Sequence, residues 1–235
     1  MYHYRISDQV PLKTKRLILT PMNVKQIDEM LARETDSMLR GALNEMRRGV
    51  SEEPVQALWY TGWQVTLKQN GALVGLVGFQ GVPADKTVAL GYVIFDGYHG
   101  NGYAQEAISS LCNWAFGREN VYFVQALAGE INEAANHILG KLRFYRVESP
   151  VPGQNRWEIE RPASGWLAIY MCIGLSIGLA LGSSIYGNMI TGMTIGLSAG
   201  LALGAVLDSQ DRGARKREHA PKKLDEITPS GKQDN

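Results

Sequence analysis

The chain has 235 residues, enough for one domain of about 150 residues and a smaller second unit. Its formal net charge of +1 excludes a dedicated nucleic-acid binder, because such proteins need a broad surplus of Lys and Arg. The two cysteines, Cys112 and Cys172, lie in different segments, so the sequence predicts neither a disulfide framework nor a metal site.

The first part of the chain reads as short strands and helices. Leu17-Ile-Leu19 is an apolar run typical of a strand, and Asn23 precedes apolar residues at helical spacing, which predicts a capped amphipathic helix. A second helix is predicted over Ser37 to Arg48. The Asn70-Gly71 pair between two apolar runs indicates a β-hairpin.

The following segments continue this alternation. They are strand Val88 to Phe95, helix Ala104 to Phe116, strand Val121 to Ala128, helix Glu133 to Leu142 and strand Trp157 to Glu160. This order of elements predicts an α+β domain over residues 1–161, with a mixed, mostly antiparallel sheet flanked by helices.

A glycine-rich turn leads from the strand Val88 to Phe95 into the next helix. It reads His99-Gly-Asn-Gly-Tyr-Ala104. Glycines allow backbone N–H groups to converge at a helix N-terminus, which is what holding a pyrophosphate requires. The turn therefore predicts an anion site, and a tight connection without a ligand is the alternative.

This turn and the order of elements together resemble the GNAT acetyltransferase superfamily, especially its ribosomal-protein N-terminal acetyltransferase branch. That family marks its CoA pyrophosphate loop with Gln or Arg, two variable residues, Gly, one variable residue, then Gly or Ala; here His stands first. The segments Lys15 to Leu19 and Asn132 to Phe144 also resemble the family, so the resemblance covers about residues 10–160. It implies acetyl-CoA as cosubstrate, with contacts from Phe95, His99, Gly100, Asn101, Gly102, Tyr103, Ala104 and Asn132.

The resemblance further implies that the strand Val88 to Phe95 splays from the strand Val121 to Ala128, and that the pantetheine arm inserts between them. Three departures from the family pattern stand out. Ala135 replaces a frequent Ser, Arg143 replaces a frequent Gly, and Val88-Ala-Leu-Gly91 lacks the glutamate that many relatives carry in this strand. A general base from that strand is therefore missing.

Acetyl transfer to an amine needs positioning, a base and an acid. Glu130 and Tyr145, on either side of the Asn132 segment, are the catalytic candidates; a solvated loop carboxylate and a packed edge tyrosine are the alternatives. His99 and His137 are weaker catalytic candidates, because a histidine in a helix or cap is more often structural. Aromatic residues this close to strands are usually core, but they could also line an acceptor pocket; they are Trp59, Tyr60 and Trp63.

The segment from Gly165 to Leu207 contains no Asp, Glu, Lys or Arg. It is about twice the ~20 residues that cross a bilayer, which predicts a two-helix transmembrane hairpin over residues 162–208. Small residues at four-residue spacing share one helix face and let two helices pack closely, within one chain or between chains as a homo-oligomer. These glycines are Gly174, Gly178, Gly182, Gly192, Gly196, Gly200 and Gly204.

Basic residues flank the predicted hairpin, with Arg161 before it and a Lys/Arg cluster after it. By the positive-inside rule, both ends face the cytoplasm. Residues 209–235 are predicted to form a charged, disordered cytoplasmic tail, whose basic cluster either sets the topology or rests on anionic lipid.

The sequence thus predicts a membrane-tethered N-acetyltransferase that moves an acetyl group from acetyl-CoA to a primary amine, either a protein N-terminus or a small amine. One alternative is a catalytically degenerate CoA-binding or interaction module on a membrane-assembling protein, which Ala89, Ala135 and Arg143 favour. The intact Gly100 to Ala104 turn favours the enzyme. A toxin–antitoxin acetyltransferase fits less well, because such proteins are usually soluble.

Overall fold

A computed structural model describes residues 10–184 and 188–224. The chain divides into two units: residues 1–161 together with residues 221–235, and residues 162–220. The helices are α1 (Val24–Arg33), α2 (Ser37–Glu52), α3 (Ala57–Tyr60), α4 (Tyr103–Phe116), α5 (Glu133–Lys141), α6 (Trp166–Ser184) and α7 (Met189–Ala214).

The described residues of the first unit form an eight-stranded sheet. Its strands are β1 (Leu12–Lys13), β2 (Leu17–Pro21), β3 (Gly62–Leu67), β4 (Leu73–Phe79), β5 (Thr87–Ile94), β6 (Phe123–Gly129), β7 (Tyr145–Val147) and β8 (Gln154–Glu160). They lie in the order β1-β2-β3-β4-β5-β6-β8-β7, and every neighbouring pair is antiparallel except β5 with β6. The predicted α+β fold is confirmed.

Side chains alternate across this sheet and bury a separate cluster on each face. Apolar residues on one face, such as Val88 and Leu90 of β5, pack with Ile108 and Leu111 of α4. A smaller cluster that includes Ile27 of α1 and Leu43 of α2 covers part of the opposite face. The two clusters thus hold α4 against one face of the sheet and α1 and α2 against the other.

Several short elements were not predicted from sequence. They are β1, β7 and α3, together with residues 222–224, which extend the sheet at the free edge of β7. The Glu148 N–H donates to the Lys222 carbonyl at 2.8 Å, and the Leu224 N–H donates to the Arg146 carbonyl at 3.1 Å. Residues 222–224 had been assigned to the predicted disordered tail; residues 225–235 of that tail lie outside the described residues.

Aromatic side chains fill the core between α4 and the sheet. The ring centroids of Trp59 and Trp114 are 4.9 Å apart, and those of Trp63 and Trp114 are 5.3 Å apart. Tyr60 lies directly against Gly49 of α2. Trp59 and Trp63 are therefore core residues, which is the packing interpretation considered for them.

The C-terminus of α5 ends in a Schellman motif with a strained residue. Arg143 has φ of +65°, the Arg143 N–H donates to the Gly140 carbonyl at 3.0 Å, and the Phe144 N–H donates to the Leu139 carbonyl at 3.1 Å. This C′ position favours glycine, because a Cβ is unfavourable at positive φ. The departure from the family pattern at Arg143 therefore falls on a position with a backbone penalty.

Arg143→Gly is expected to raise the free energy of unfolding by about 1 kcal/mol, because it removes the Cβ penalty and the lost side chain is exposed. Urea unfolding of the full chain in detergent, followed by near-ultraviolet circular dichroism of the tryptophan core, measures this change. Arg143→Ala is the control, since it removes the guanidinium but keeps the Cβ. An equal gain in both variants would place the effect in the side chain instead.

The second unit is a pair of helices packed through glycine. Hypothetical Cβ atoms at Gly174 and Gly178 of α6, and at Gly192 and Gly196 of α7, would stand under 3.0 Å from backbone atoms of the partner helix. Only glycine permits this approach. The glycine face is thus used between the two helices of one chain.

The hairpin has a polar base and an apolar exterior. Asp208 accepts from the Trp166 N–H at 3.1 Å and caps the start of α6, while Arg215 pairs with Asp211 at 2.7 Å. Apolar side chains such as Ile173 and Ile195 are exposed on the outside. Both α6 and α7 are long and apolar enough to cross a membrane, and α7 continues to Ala214, past the predicted boundary at residue 208.

Candidate active site

The parallel strands β5 and β6 pair over only half of their length. Thr87 to Leu90 pair with Phe123 to Ala126, and the register then ends. Beyond this point β5 pairs with β4 on its other side, and β6 pairs with β8. The two facing edges therefore form a wedge that opens toward the strand C-termini, and the splay implied by the family resemblance is confirmed.

The loop after β5 has the backbone conformation that the glycine spacing predicted. Gly97, Gly100 and Gly102 have φ values of +86°, +75° and +75°, and Gly102 is the N-cap of α4. In the described part of the chain, no group accepts a hydrogen bond from the backbone N–H groups of residues 99–105. A helix N-terminus with several unpaired N–H groups favours an anion.

The residues around this loop differ in what they can offer a ligand. The ring Nε2 of His99 lies 2.7 Å from the Ile94 carbonyl oxygen, so this nitrogen is engaged by the protein. The Asn101 amide donates to the Tyr98 and His99 carbonyls at 3.2 and 3.1 Å. Ala104 is buried against the core. The loop therefore presents main-chain donors rather than side chains.

Phe95 and Asn132 both lie beyond the C-terminal ends of the strands, at the open side of the wedge. Phe95 follows β5 and packs against the cluster of α1 and α2. Asn132 follows β6, and its side-chain oxygen accepts from the Ala135 N–H at 3.0 Å, which caps α5. The same side-chain amide therefore has a structural role as the helix cap, in addition to any contact that its nitrogen makes with a ligand.

Arg16 also reaches this loop, although sequence reasoning assigned it only to the opening strand. Its Nη1 donates to the Asn101 carbonyl at 2.9 Å, and its Nε donates to Glu106 Oε2 at 2.7 Å. Its guanidinium carbon lies 4.8 Å from the centre of the Tyr103 ring. One sequence signal could have indicated a nearby cation: Glu106 is an acidic residue in the first turn of a helix whose N-terminus is predicted to bind an anion.

Glu106 is held in its charged form. Burial acts to raise the pKa of Glu106, but hydrogen bonds from Thr14 at 2.5 Å and from Arg16 outweigh it, so this pKa lies below its ordinary value. Because the pKa of Glu106 is lower in the folded chain than in the unfolded chain, its charged form stabilises the fold at pH values above the unfolded pKa. This stabilisation is lost as the pH falls through the folded pKa.

Glu106→Gln is therefore expected to destabilise the chain at pH 6 and to have a progressively smaller effect below about pH 4.3, the unfolded value of a glutamate. Urea unfolding of both proteins at several pH values between 6 and 3 tests this. A difference that stays constant over the range would show that the Glu106 charge is not linked to folding.

A second polar group lies on the opposite face of the sheet from α4. Glu158 of β8 is the only charged side chain among the described residues that is buried. It accepts from the Tyr145 hydroxyl at 2.5 Å and from the Gln125 amide at 2.8 Å. A buried carboxylate with specific donors is costly to keep and is often functional.

Cross-strand register places this group beside the wedge. Gln125 lies opposite both Glu158 and Ala89, and Tyr145 lies opposite Glu158. These cross-strand neighbours form one row across the sheet. The row lies one residue before Leu90, which is the last residue of β5 that pairs with β6. Arg156 donates to the Gln125 side-chain oxygen at 2.6 Å, which turns the Gln125 amide toward Glu158.

The structure does not bring the two catalytic candidates together. Glu130 is exposed and lies five positions beyond Gln125, roughly 16 Å further along the strand direction at ~3.3 Å per residue. Tyr145 belongs to the row of Gln125 itself. Glu130 and Tyr145 were predicted together because both are close to Asn132 in sequence. The pairing of strands in the sheet separates them in space.

Other reactive groups lie away from the wedge or are inert. Burial raises the pKa of Cys112 to about 12, so its thiol stays protonated at neutral pH. His137 is exposed on α5. Within the described residues no cluster of His, Cys, Asp and Glu could hold a metal ion.

Comparisons with known proteins show what the sequence of this chain is similar to. The sequence model of a family described as "Acetyltransferase (GNAT) domain" matches residues 16–145. The uncharacterized N-acetyltransferase YjdG of Bacillus subtilis is 31% identical over 86 residues, which are 36% of this chain and 51% of YjdG. The matched segment thus spans about half the length of the curated relatives.

Solved structures share the fold. An acetyltransferase from Agrobacterium tumefaciens has a TM-score of 0.51 at 17% identity, covering 68% of this chain and 99% of the other. The ribosomal-protein-S5-alanine acetyltransferase of Vibrio fischeri has a TM-score of 0.50 at 11% identity, covering 65% of this chain and 97% of the other. At these identities the likeness concerns the fold alone.

Proposed function

Since the chain belongs to the GNAT acetyltransferase family, we propose that it transfers an acetyl group from acetyl-CoA to a primary amine. The observation that carries this proposal is the joining of two features at one end of β5. One is a wedge between parallel strands, and the other is a loop of N–H groups that have no acceptor among residues 10–184 and 188–224. One fits an extended amide-containing arm, and the other fits a diphosphate.

In this assignment the diphosphate binds the N–H groups of the loop that includes His99, Gly100, Asn101, Gly102 and Tyr103. The pantetheine arm lies along the free edges of β5 and β6 as an added strand, near Phe95 and Asn132. The thioester then reaches the closed end of the wedge, beside Gln125 and Ala89. The acceptor amine approaches from the face of the sheet that carries Glu158.

The chemistry consists of positioning and one proton transfer. A neutral amine attacks the thioester carbonyl, the C–N bond forms, the C–S bond breaks, and the amine proton must be removed. We assign this proton transfer to Tyr145, which takes the amine proton as its own hydroxyl proton passes to Glu158 at 2.5 Å; Glu130 is the second candidate. The thiolate leaves and takes up, through water, the proton that the amine has released, so the reaction has no net change in protons.

Tyr145→Phe is expected to lower kcat by about 100-fold, the lower end of general acid–base effects, with little change in KM for acetyl-CoA. A free-thiol release assay with an amine substrate measures both values. Tyr122→Phe is the matched control, because Tyr122 lies before β6 at the paired end of the strands. Loss of kcat in Glu130→Gln but not in Tyr145→Phe would move the assignment to Glu130.

The α6–α7 hairpin is proposed to tether the enzyme to a membrane. Its exposed apolar exterior, internal glycine packing and polar base suit a lipid environment, where helices associate through close packing. By the positive-inside rule, the flanking basic residues favour a cytoplasmic position for both ends. The catalytic unit therefore works at the cytoplasmic membrane surface, where it acetylates a protein N-terminus or a small amine.

Two experiments test the proposed function. Isothermal titration of the detergent-solubilised full chain with acetyl-CoA tests binding, and thiol release against a panel of amines tests turnover. Carbonate extraction of membranes tests the tether, with a comparison protein in which a Gly-Ser linker replaces residues 163–220 and Lys222 to Leu224 are kept. The full chain should resist extraction, and the comparison protein should be released.

A non-catalytic CoA-binding module is the second candidate. It is favoured by Ala89, which is exposed at the closed end of the wedge and occurs where many relatives have a glutamate. In that case acetyl-CoA binds, but no amine in the panel releases CoA thiol. Absence of acetyl-CoA binding would contradict both candidates.

A further inference from the structure

Arg16 ties the loop of the proposed diphosphate site to the start of β2. Its guanidinium donates to the Asn101 carbonyl at 2.9 Å and to Glu106 at 2.7 Å, and its backbone N–H also donates to Glu106 at 2.7 Å. These contacts join residues 85 to 90 positions apart. The arginine thus bridges a loop carbonyl and a carboxylate of the first turn of α4.

This bridge neutralises a negative charge at the N-terminus of α4. Glu106 lies in the first turn of α4, whose first N–H groups have no acceptor in the described part of the chain and favour an anion. Left alone, its negative charge would repel a diphosphate at the same helix end, because like charges in a partly buried site are weakly screened. Arg16 pairs with this charge, and its own side chain stays 44% exposed beside the loop.

The bridge also shapes the loop. The Asn101 carbonyl is a negative dipole inside the segment whose N–H groups would bind the ligand, and the hydrogen bond from Arg16 fixes where it points. Gly102 lies next to this contact, and its φ of +75° is a backbone conformation that favours glycine. The Tyr103 ring supports the guanidinium by a cation–π contact at 4.8 Å.

We propose that Arg16 is a positioning residue for the diphosphate of the cosubstrate: it neutralises Glu106 and orients the Asn101 carbonyl, so that the loop N–H groups face a site of positive potential. This inference rests on the proposed function. The resemblance to relatives places Gln or Arg at position 99, whereas here His99 is engaged with Ile94 and the guanidinium comes from Arg16, the residue before β2.

The test compares acetyl-CoA with S-acetyl-pantetheine, which carries the same thioester but no diphosphate. In the full chain, Arg16→Gln should raise the KM and dissociation constant for acetyl-CoA at least about tenfold, because charge-assisted interactions are lost. Its kcat/KM with S-acetyl-pantetheine should equal that of the wild type. A merely structural arginine would affect both substrates alike.

Two further variants separate the parts of the argument. Arg16→Gln combined with Glu106→Gln should recover part of the lost acetyl-CoA affinity, because the repelling charge is then absent as well. Arg47→Gln is the matched control, since Arg47 also pairs with a carboxylate, Asp28 at 2.5 Å, but lies on α2. It should change neither substrate's kinetics.

The outcomes are distinct from those of the proposed function. If the wild type binds no acetyl-CoA, the proposed function fails and this inference falls with it. If the wild type binds acetyl-CoA and Arg16→Gln binds it equally well, only the role of Arg16 is refuted. Equal losses with acetyl-CoA and S-acetyl-pantetheine, or no recovery in the double variant, also refute it.

Discussion

Gly196→Leu is expected to separate α6 from α7. A Cβ at Gly196 would stand under 3.0 Å from backbone atoms of Gly174 and Gly178, and backbone atoms of a packed helix cannot move aside singly. Overpacking of this kind costs about 1–3 kcal/mol or more. Leucine gains at most about 1 kcal/mol in helix propensity over glycine, so the packing loss exceeds the gain.

The separation can be measured as a distance between spin labels. Cys172 on α6 is exposed, Cys112 is buried, and Leu201→Cys supplies an exposed second site on α7. Pulsed electron paramagnetic resonance in lipid nanodiscs should give one narrow distance for this parent protein and a longer or broad distribution after Gly196→Leu. Gly213→Leu is the control on the same helix, because a Cβ at Gly213 meets nothing within 4 Å.

If Gly196→Leu kept the narrow distance, as the control Gly213→Leu should, the close packing of α6 against α7 would be wrong. If the parent protein showed distances between labels on different chains, and Gly196→Leu removed them, the glycine faces would pair between chains. That result would support the homo-oligomer considered from the sequence. The structure instead places all seven glycines of the hairpin's glycine faces against the partner helix of the same chain. They are Gly174, Gly178, Gly182, Gly192, Gly196, Gly200 and Gly204. A homo-oligomer of this hairpin would need a different face.

The sequence identified the elements whose signals are local. The Asn70-Gly71 turn, the capped α1 and the glycine-rich loop each depend on a few neighbouring residues, and each occurs where it was predicted. The order of such elements was enough for the α+β fold, because few arrangements accept that order. Local chemistry and element order therefore carried most of the fold.

Contacts between distant segments escaped the same reasoning. The two residues of β1 and the three of β7 are too short for a periodic pattern, and both depend on a neighbouring strand for their backbone hydrogen bonds. Residues 222–224 resemble a charged tail by composition, yet they pair with β7. No local signal indicates which edge such a segment joins.

The candidate site shows the same division. The loop glycines were found from spacing, whereas Arg16 and Glu106 meet across 90 positions and Glu158 meets Tyr145 only through the pairing of β7 with β8. The catalytic residues were sought near Asn132 in sequence. Sheet register, not sequence distance, decides which polar groups lie at the closed end of the wedge.

The loop itself provides the second large effect. Gly100→Val is expected to raise the dissociation constant for acetyl-CoA about a thousandfold. Gly100 has φ of +75°, a conformation that a β-branched residue avoids at a cost of about 1–2 kcal/mol. The loop should relax by turning its N–H groups away, and two lost charge-assisted hydrogen bonds at about 1.5–3 kcal/mol each give that factor.

Gly71→Val separates this effect from general destabilisation. Gly71 has φ of +70°, and a Cβ at Gly71 or at Gly100 meets nothing within 4 Å, so the two substitutions strain the backbone alike. Gly71 lies in the turn between β3 and β4, so its variant should lose similar stability in urea but bind acetyl-CoA normally in isothermal titration. If Gly100→Val also bound normally, the main-chain amides of this loop would not hold the diphosphate, and the wedge alone would have to account for binding.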